Sequence, residues 1–263
     1  MEYVKIITIN TWKCDGDYPE RMRILAEQLA ALKPTIVACQ ECFYSDEGKA
    51  DTLKFLADKL NMNYSFLPGR SKSRYLEGKW VDSQSGLGIL SAYPLTAAND
   101  LDLPVVLGDD ERKVQQCEVM LPSGKTIMVT NTHLTHLNNT PGRKAQAEAL
   151  ADMVRVNKVD GYNIVCGDFN CGPTSIEVKS FIKKSGAVDC YTSGSGQEPR
   201  HSLANAFTRN IHICVDHIFA LPITGGSTTP EFINSGVVLN IQDETSGLFP
   251  SDHFGISTTL IID

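Results

Sequence analysis

The sequence predicts a mixed α/β fold built on antiparallel or mixed sheets, and three observations lead to it. Short runs rich in β-branched residues recur from residue 3 to residue 262. Apolar stripes at helical spacing lie between some of them, without strict strand–helix alternation. In mid-chain, Val119, Leu121, Ile127 and Val129 alternate with polar neighbours around Pro122-Ser123-Gly124. That is the pattern of a hairpin, and it argues against an all-parallel sheet.

The first strand is 3–9 (YVKIITI). A helix follows over 19–32, where Met22, Leu25, Leu29 and Leu32 share a face and Pro19 suits the first turn. A strand at 35–39 (TIVAC) precedes a second helix over 47–60, carried by Leu53, Leu56 and Leu60. Residues 68–85 lack either period and are expected to be a loop, followed by a strand at 86–91. The hairpin pairs 114–121 with 126–131. Thr140-Pro141 opens a third helix bearing Ala147, Leu150 and Val154, and 163–167 (NIVCG) is the next strand. Thr174 and Glu177 have capping-box spacing ahead of Val178, Phe181 and Ile182, which predicts a fourth helix. A second loop is expected over 192–213, then strands at 214–220 and 254–262. No low-complexity linker interrupts this order, so one domain over residues 1–263 is expected.

Composition is that of a globular protein, with 42% apolar and 21% charged residues. A net charge of −7 argues against generic polyanion binding, which needs many phosphate-neutralising cations. No signal peptide is visible and no apolar run reaches the roughly 18 residues of a membrane span, so a cytoplasmic location is expected. The eight cysteines are then expected to be reduced thiols. Cys39 and Cys42 have C-x-x-C spacing, but no second pair or His-rich partner follows, and two thiolates are too few for structural zinc.

The chemistry is suggested by what stands at the strand ends. Asn10 (TINTW), Glu41 (ACQE), His133 (TNTHL), Asp168 with Asn170 (CGDFN), and Asp252 with His253 (PSDHFGI) all close or border apolar runs. CVDHIF places Asp216 and His217 inside another. A buried carboxylate is costly unless it is paired, hydrogen-bonded or on a metal. Any one of these could be a turn or a cap; six together argue for a site. Carboxylate and amide oxygens suit a hard cation, Mg²⁺ or Mn²⁺, and an Asp beside a His stabilises an imidazolium. There is no nucleophilic-serine order and no Walker loop. Metal-assisted hydrolysis of a phosphate ester fits the set.

TINTW, QE, NTHL, GDFN, VDHIF and SDHFGI stand in the order found in the endonuclease/exonuclease/phosphatase superfamily, which the chain resembles from residue 6 to residue 256. That superfamily includes deoxyribonuclease I, exonuclease III-type enzymes, neutral sphingomyelinases and inositol-polyphosphate 5-phosphatases. The resemblance implies a four-layer α/β sandwich: two mixed, mainly antiparallel sheets face to face, with helices outside. It implies that Glu41, Asn10 and Asp252 hold the metal and that Asp168 orients or deprotonates water, with Asn170 beside it. His253 would contact the phosphate, with Asp216 fixing its ring, and His133 would bind a phosphate oxygen or assist the leaving group. Arg112 would face the phosphate. Relatives often carry an aromatic at position 217 and a basic residue at 214; His217 and Cys214 depart from this, and His217 is expected to enter the site or pack behind it. His133 sides with the deoxyribonuclease, sphingomyelinase and phosphatase branches, since AP endonucleases carry Tyr there.

Three other readings compete. A zinc hydrolase on a (β/α)₈ barrel would want a close His pair such as H-x-H, whereas only HLTH (133–136) is present, and the hairpin disfavours a barrel. A Cys39/Cys42 zinc or redox module lacks ligands, and a non-catalytic relative would not keep competent residues in all six motifs. For the substrate, Arg70, Lys72, Arg74 and Lys79 mixed with Tyr75 and Trp80 could grip phosphates and stack bases, or could form a solvated loop. Arg74 and Trp80 are the candidates there. The acidic charge favours a small phosphoester, phospholipid headgroup or phosphorylated polyol over DNA or RNA, with a nuclease as the alternative.

Overall fold

A computed structural model describes residues 1–156, 162–194, 201–205, 211–221 and 229–262. The first sheet is built from β1 (Glu2–Asn10), β2 (Ile36–Ser45), the short β3 (Ala50–Asp51), β4 (Asn63–Leu76), β5 (Lys79–Ser91), and, from the far end of the chain, β12 (Glu231–Val238) and β13 (Gly255–Ile262). Its order is β12-β13-β1-β2-β5-β4, with β3 on β2. The second holds β6 (Leu95–Asp102), β7 (Lys113–Met120), β8 (Thr126–His133), β9 (Asn163–Asp168), β10 (Val188–Asp189) and β11 (Asp216–Leu221), in the order β10-β11-β9-β8-β7-β6. Both sheets are mixed. Each has one parallel pair, β1/β2 and β8/β9, and antiparallel neighbours elsewhere.

The parallel pairs have crossover helices, as parallel strands require. β1 returns to β2 through α1 (Tyr18–Leu32), and β8 to β9 through α3 (Thr140–Val156). The helix α2 (Thr52–Leu60) joins α1 on the first sheet, and α4 (Ile176–Ser185) joins α3 on the second; a short α5 (Cys190–Gly194) follows β10. Strand alternation then sorts the core into three layers. Val4, Ile6, Ile36, Ala38, Ile127, Val129, Ile164 and Cys166 meet between the sheets. Their neighbours Ile7, Ile9, Val37 and Cys39 face α1 and α2, while Val165, Phe219 and Leu221 face α3 and α4. The result is the α/β/β/α sandwich expected.

The differences from expectation are local. Residues 68–85 are not a loop: they belong to β4 and β5, paired from Asn63↔Ser91 to Leu76↔Lys79. This ribbon sits at the sheet edge with most of β4 exposed, so no alternating apolar face marks it. β6 and β12 are equally unmarked for the same reason, with exposed or half-buried side chains along most of their length. The second helix starts at Thr52, capped by Asp51, whose side chain accepts from Lys54 N. Ser175, not Thr174, caps the fourth, while Glu177 turns inward onto Arg143. Of the loop expected at 192–213, residues 195–200 and 206–210 lie outside the described residues. Among the described residues no helix is long and apolar enough to cross a membrane.

One buried polar cluster ties the sheets together. Asn131 of β8 donates across the sandwich to the carbonyls of Cys39 (2.8 Å) and Gly88 (3.0 Å), and its own oxygen accepts from Gln40 Nε2 at 2.7 Å. Gln40 also donates to Thr8 Oγ1. Replacing Asn131 by Leu keeps the volume but takes the side-chain donor from the carbonyls of Cys39 and Gly88 and one acceptor from the Gln40 amide. It is expected to lower unfolding stability by about 3 kcal/mol. A urea titration checks this; an unchanged midpoint would mean that apolar contact alone holds the sheets.

Candidate active site at the strand ends

The two parallel pairs end at the same end of the sandwich and supply its polar floor. Asn10 closes β1 opposite Gln40, and His133 closes β8 opposite Asp168, the last residue of β9. Asp216 opens β11 against Asp168 from the other side. Asn10, His133, Asp168 and Asp216 all share the strand parity of residues packed between the sheets. Asp168 is the hub and is almost wholly buried. Its Oδ2 accepts from Asn10 Nδ2 at 3.1 Å and lies 3.4 Å from His133 Nε2 and 3.8 Å from His253 Nε2. Its Oδ1 accepts from Asn170 N at 2.8 Å. Asn170 sits in the left-handed region at φ +52°, and its side chain donates to Leu134 O.

Glu41 reaches the site by a different device. The register of β2 against β5 shifts between Cys39 and Cys42, and Glu41 takes φ +56° at that bulge. An extra residue reverses parity. Cys39 and Cys42 therefore both pack against α1 and α2, and Glu41 joins the depression shared by Asn10, His133, Asp168, Asn170, Asp252 and His253. The C-x-x-C spacing is thus the signature of a bulge between two core thiols. All eight cysteines are free and buried.

The two imidazoles are pushed in opposite directions. For His253, burial alone would disfavour the charge, but Asp216 outweighs it, with help from Asp168 and Asp252, and raises the pKa to about 10. Asp216 Oδ2 accepts from His253 Nδ1 at 2.9 Å and from Ser202 Oγ at 2.6 Å. His133 is driven well below its ordinary value by burial, then by the charges of Arg112 and His253. Asp168 is raised by burial and by Asp216, against the opposing effect of His253.

A hard cation fits the oxygen donors of Glu41, Asp252 and Asn10. Asp252 is raised by burial and, despite nearby His253, by the charge of Glu41, so the two carboxylates gain from a positive charge between them. The Lys13 ammonium lies 2.7 Å from Glu41 Oε2. Asp168, Asp216 and His253 also bring ligand atoms within 4.8 Å of one another. We assign that trio to hydrogen bonding, because His253 Nδ1 and Asp216 Oδ2 are already spent on each other.

Four candidates fall outside this floor. His217 is turned away: it shares parity with Phe219, stacks against it, and bonds through Nε2 to Cys171 O, so the expectation that it meets substrate is corrected in favour of packing behind. Arg74 is buried and donates to Ser83 Oγ and Ser85 Oγ, which leaves it no face for substrate, although its charge reaches Glu41. Trp80 is exposed beside Tyr75, outside the depression. Arg112 lines an adjoining recess with Glu41 and His133, held by both oxygens of Asp109.

The sequence reasoning missed Lys13, Arg21, Ser202 and Ser251. Ser251 Oγ donates to Asn10 O and accepts from His253 N, which locks the SDH turn to β1. Ser202 has no motif around it. Arg21 could have been found, because it occupies the apolar stripe of α1 with Tyr18, Met22 and Leu25.

Residues 7–253 match the Endonuclease/Exonuclease/phosphatase family. No curated protein matches the sequence. Among solved structures, an endonuclease/exonuclease/phosphatase from Beutenbergia cavernae DSM 12333 is 19% identical at TM-score 0.75, the match covering 100% of this chain and 72% of that one. D. rerio TDP2 complexed with single strand DNA product is 18% identical at TM-score 0.72, over 100% of both chains. A mannosyl-6-phosphatase from Bacteroides thetaiotaomicron VPI-5482 is 17% identical at TM-score 0.69, covering 98% of this chain and 100% of that one. At such identities the likeness is one of fold. The match along nearly the whole sequence carries more: the chain belongs to the Endonuclease/Exonuclease/phosphatase family and is a phosphoester hydrolase.

Proposed function

We propose that one domain spanning residues 1–263 hydrolyses a small phosphoester with a polar alcohol portion, by in-line attack of water and with Mg²⁺ or Mn²⁺ as cofactor. The observation that carries this is Asp168, a buried carboxylate with His133 Nε2 at 3.4 Å and His253 Nε2 at 3.8 Å, its pKa raised by burial and by Asp216. Glu41, Asp252 and Asn10 would hold the divalent cation, which would supply charge neutralisation at the phosphate. Asp168 takes a proton from the attacking water as the water oxygen bonds to phosphorus; the ester P–O bond breaks and the alcohol leaves with a proton taken from solvent. Asn170 orients that water. His253, charged and aimed by Asp216, donates Nε2–H to a phosphate oxygen, and His133 donates to another.

The adjoining recess supports this substrate class. Leu67, Gly69, Arg70, Gly86, Leu87 and Asp110 line it, so apolar groups and charges of both signs border the same space. A polyol or sugar phosphate, whose hydroxyls both donate and accept, suits such walls. The fold is shared with a mannosyl-6-phosphatase and with a protein bound to DNA product, so the fold does not choose between these classes. The net charge of −7 favours the small ester. The exposed Tyr75–Trp80 pair supports a second reading, a nuclease that stacks bases there. The eight unbridged thiols support a reducing, cytoplasmic setting.

A Mg²⁺-supported panel of sugar phosphates, inositol phosphates, sphingomyelin, bis-p-nitrophenyl phosphate, single-stranded RNA and duplex DNA tests the substrate. Turnover is expected on the small polar esters; plasmid cleavage at physiological salt would favour the nuclease. Asp168→Asn and His253→Ala are each expected to lose at least ~100-fold in kcat/KM while remaining folded.

The pH profile follows from the shifts. Asp168 acts deprotonated and its pKa is raised, so activity falls as pH drops through a value above the usual carboxylate range of about 4. His253 acts protonated, so activity is lost only as pH rises through about 10. An acidic limb that survives in Asp168→Asn would show that another group is the base. Cys39→Ala with Cys42→Ala is expected to keep metal-dependent activity, whereas Glu41→Gln is expected to abolish it; the same assay reads both.

A further inference from the structure

We propose that Lys13 is a built-in counter-ion of the metal anchor: its ammonium occupies Glu41 until a divalent cation binds, then turns to the phosphate of the substrate. This rests on the phosphoesterase reading and adds a residue to it. Lys13 Nζ lies 2.7 Å from Glu41 Oε2 and 3.8 Å from Asp15 Oδ2. It lines the same depression as Asn10, Asp168, Asp252 and His253, so it is inside the site and not on a remote surface. The Glu41 side chain is only 19% exposed, too little for bulk water to screen the pair fully.

The backbone holds this placement at a cost. Trp12 and Lys13 adopt φ +57° and +44°, two successive left-handed residues, neither of them glycine. Such strain persists only where the surroundings impose it, and it concentrates at functional sites. Here they are imposed chiefly by Arg21, a buried cation from α1. Its guanidinium donates to the carbonyls of Thr11, Trp12, Lys13 and Asp15, and across to Pro250 O beside the SDH turn. It also packs on the Trp12 ring, 4.8 Å from the centroid. Lys13 N donates to Glu41 O at 3.2 Å, tying the strained turn to the bulge. A simple surface ion pair needs none of this apparatus.

Electrostatics supplies the switch. An ammonium and a divalent cation repel and compete for one carboxylate oxygen, and the doubly charged ion wins it. The displaced ammonium rides on a flexible four-carbon stem in a site that then receives a phosphate, the strongest anion available to it. Lys13 thus offsets the acidic groups before metal binds and adds its charge to those of the cation and His253 when substrate is bound.

Calorimetric titration of MnCl₂ and MgCl₂ into the metal-free full chain, without substrate, tests the first half. Lys13→Met is expected to bind Mn²⁺ about tenfold more tightly than the unaltered protein, and Lys13→Arg, which keeps the charge, about the same. Equal or weaker Mn²⁺ binding by Lys13→Met would overturn the proposal. Lys13→Gln serves if Lys13→Met fails to fold, judged by its urea midpoint. At saturating Mn²⁺, KM for a small phosphoester is expected to rise about tenfold in Lys13→Met; an unchanged KM would overturn the second half. Tighter Mn²⁺ binding in a protein that hydrolyses no ester would instead sink the phosphoesterase reading and leave the counter-ion standing.

Discussion

The bulge in β2 is the constraint on which the rest of the site depends. A strand that delivers Gln40 to the space between the sheets must send the next residue outward, into the apolar layer under α1. A carboxylate there would be buried without a partner, at a cost of several kcal/mol. The extra residue and the left-handed φ at Glu41 break that parity and redirect the side chain to the open end of the sandwich. Gln40, inside the break, is held by Thr8 and Asn131, and Asn131 also bonds the Cys39 carbonyl just before it. The network that joins the sheets thus fixes the residues that lead into Glu41.

Around that point the two sheets contribute comparable halves. β1-α1-β2 delivers Asn10 and Glu41, and β8-α3-β9 delivers His133 and Asp168, each at the carboxyl ends of a parallel pair. The antiparallel strands β11 and β13 complete the set: Asp216 opens one, and the SDH turn precedes the other. The residues are distant in sequence but adjacent in register, so local packing sets their spacing. This concentrates acidic groups, and the chain balances them with buried cations placed behind the floor. Arg21 anchors the loops and Arg74 lies within the field of Glu41.

The sequence made the sandwich and most of the floor legible, for a physical reason. Strands buried on both faces carry dense apolar or β-branched runs, so β1, β8, β9, β11 and β13 stand out; edge strands such as β4 and β6 carry no such burden and were invisible. The polar residues were legible because they interrupt those runs. Parity also separates Asp216 from His217: one shares its face with Ile218, the other with Phe219, and only the former points between the sheets. Lys13 and Ser202 could not be read, because their roles depend on a loop conformation and on a segment docking against the 252–254 turn. Glu41 was legible although the spacing of its flanking thiols mimics a redox motif.

The two histidines show why residue type alone does not settle a mechanism. Both are buried, and burial pushes both toward neutrality. Only His253 has a carboxylate bound to its Nδ1, and that carboxylate is itself oriented by Ser202, whose hydroxyl also accepts from the amides of Val215 and Asp216. His133 has Asp168 at a longer 3.4 Å and Arg112 within electrostatic reach, so its charged form is not favoured. Asp216, held in turn by Ser202, thus separates the two imidazoles: it favours the charged form of His253, and among the described residues His133 has no such partner on its Nδ1.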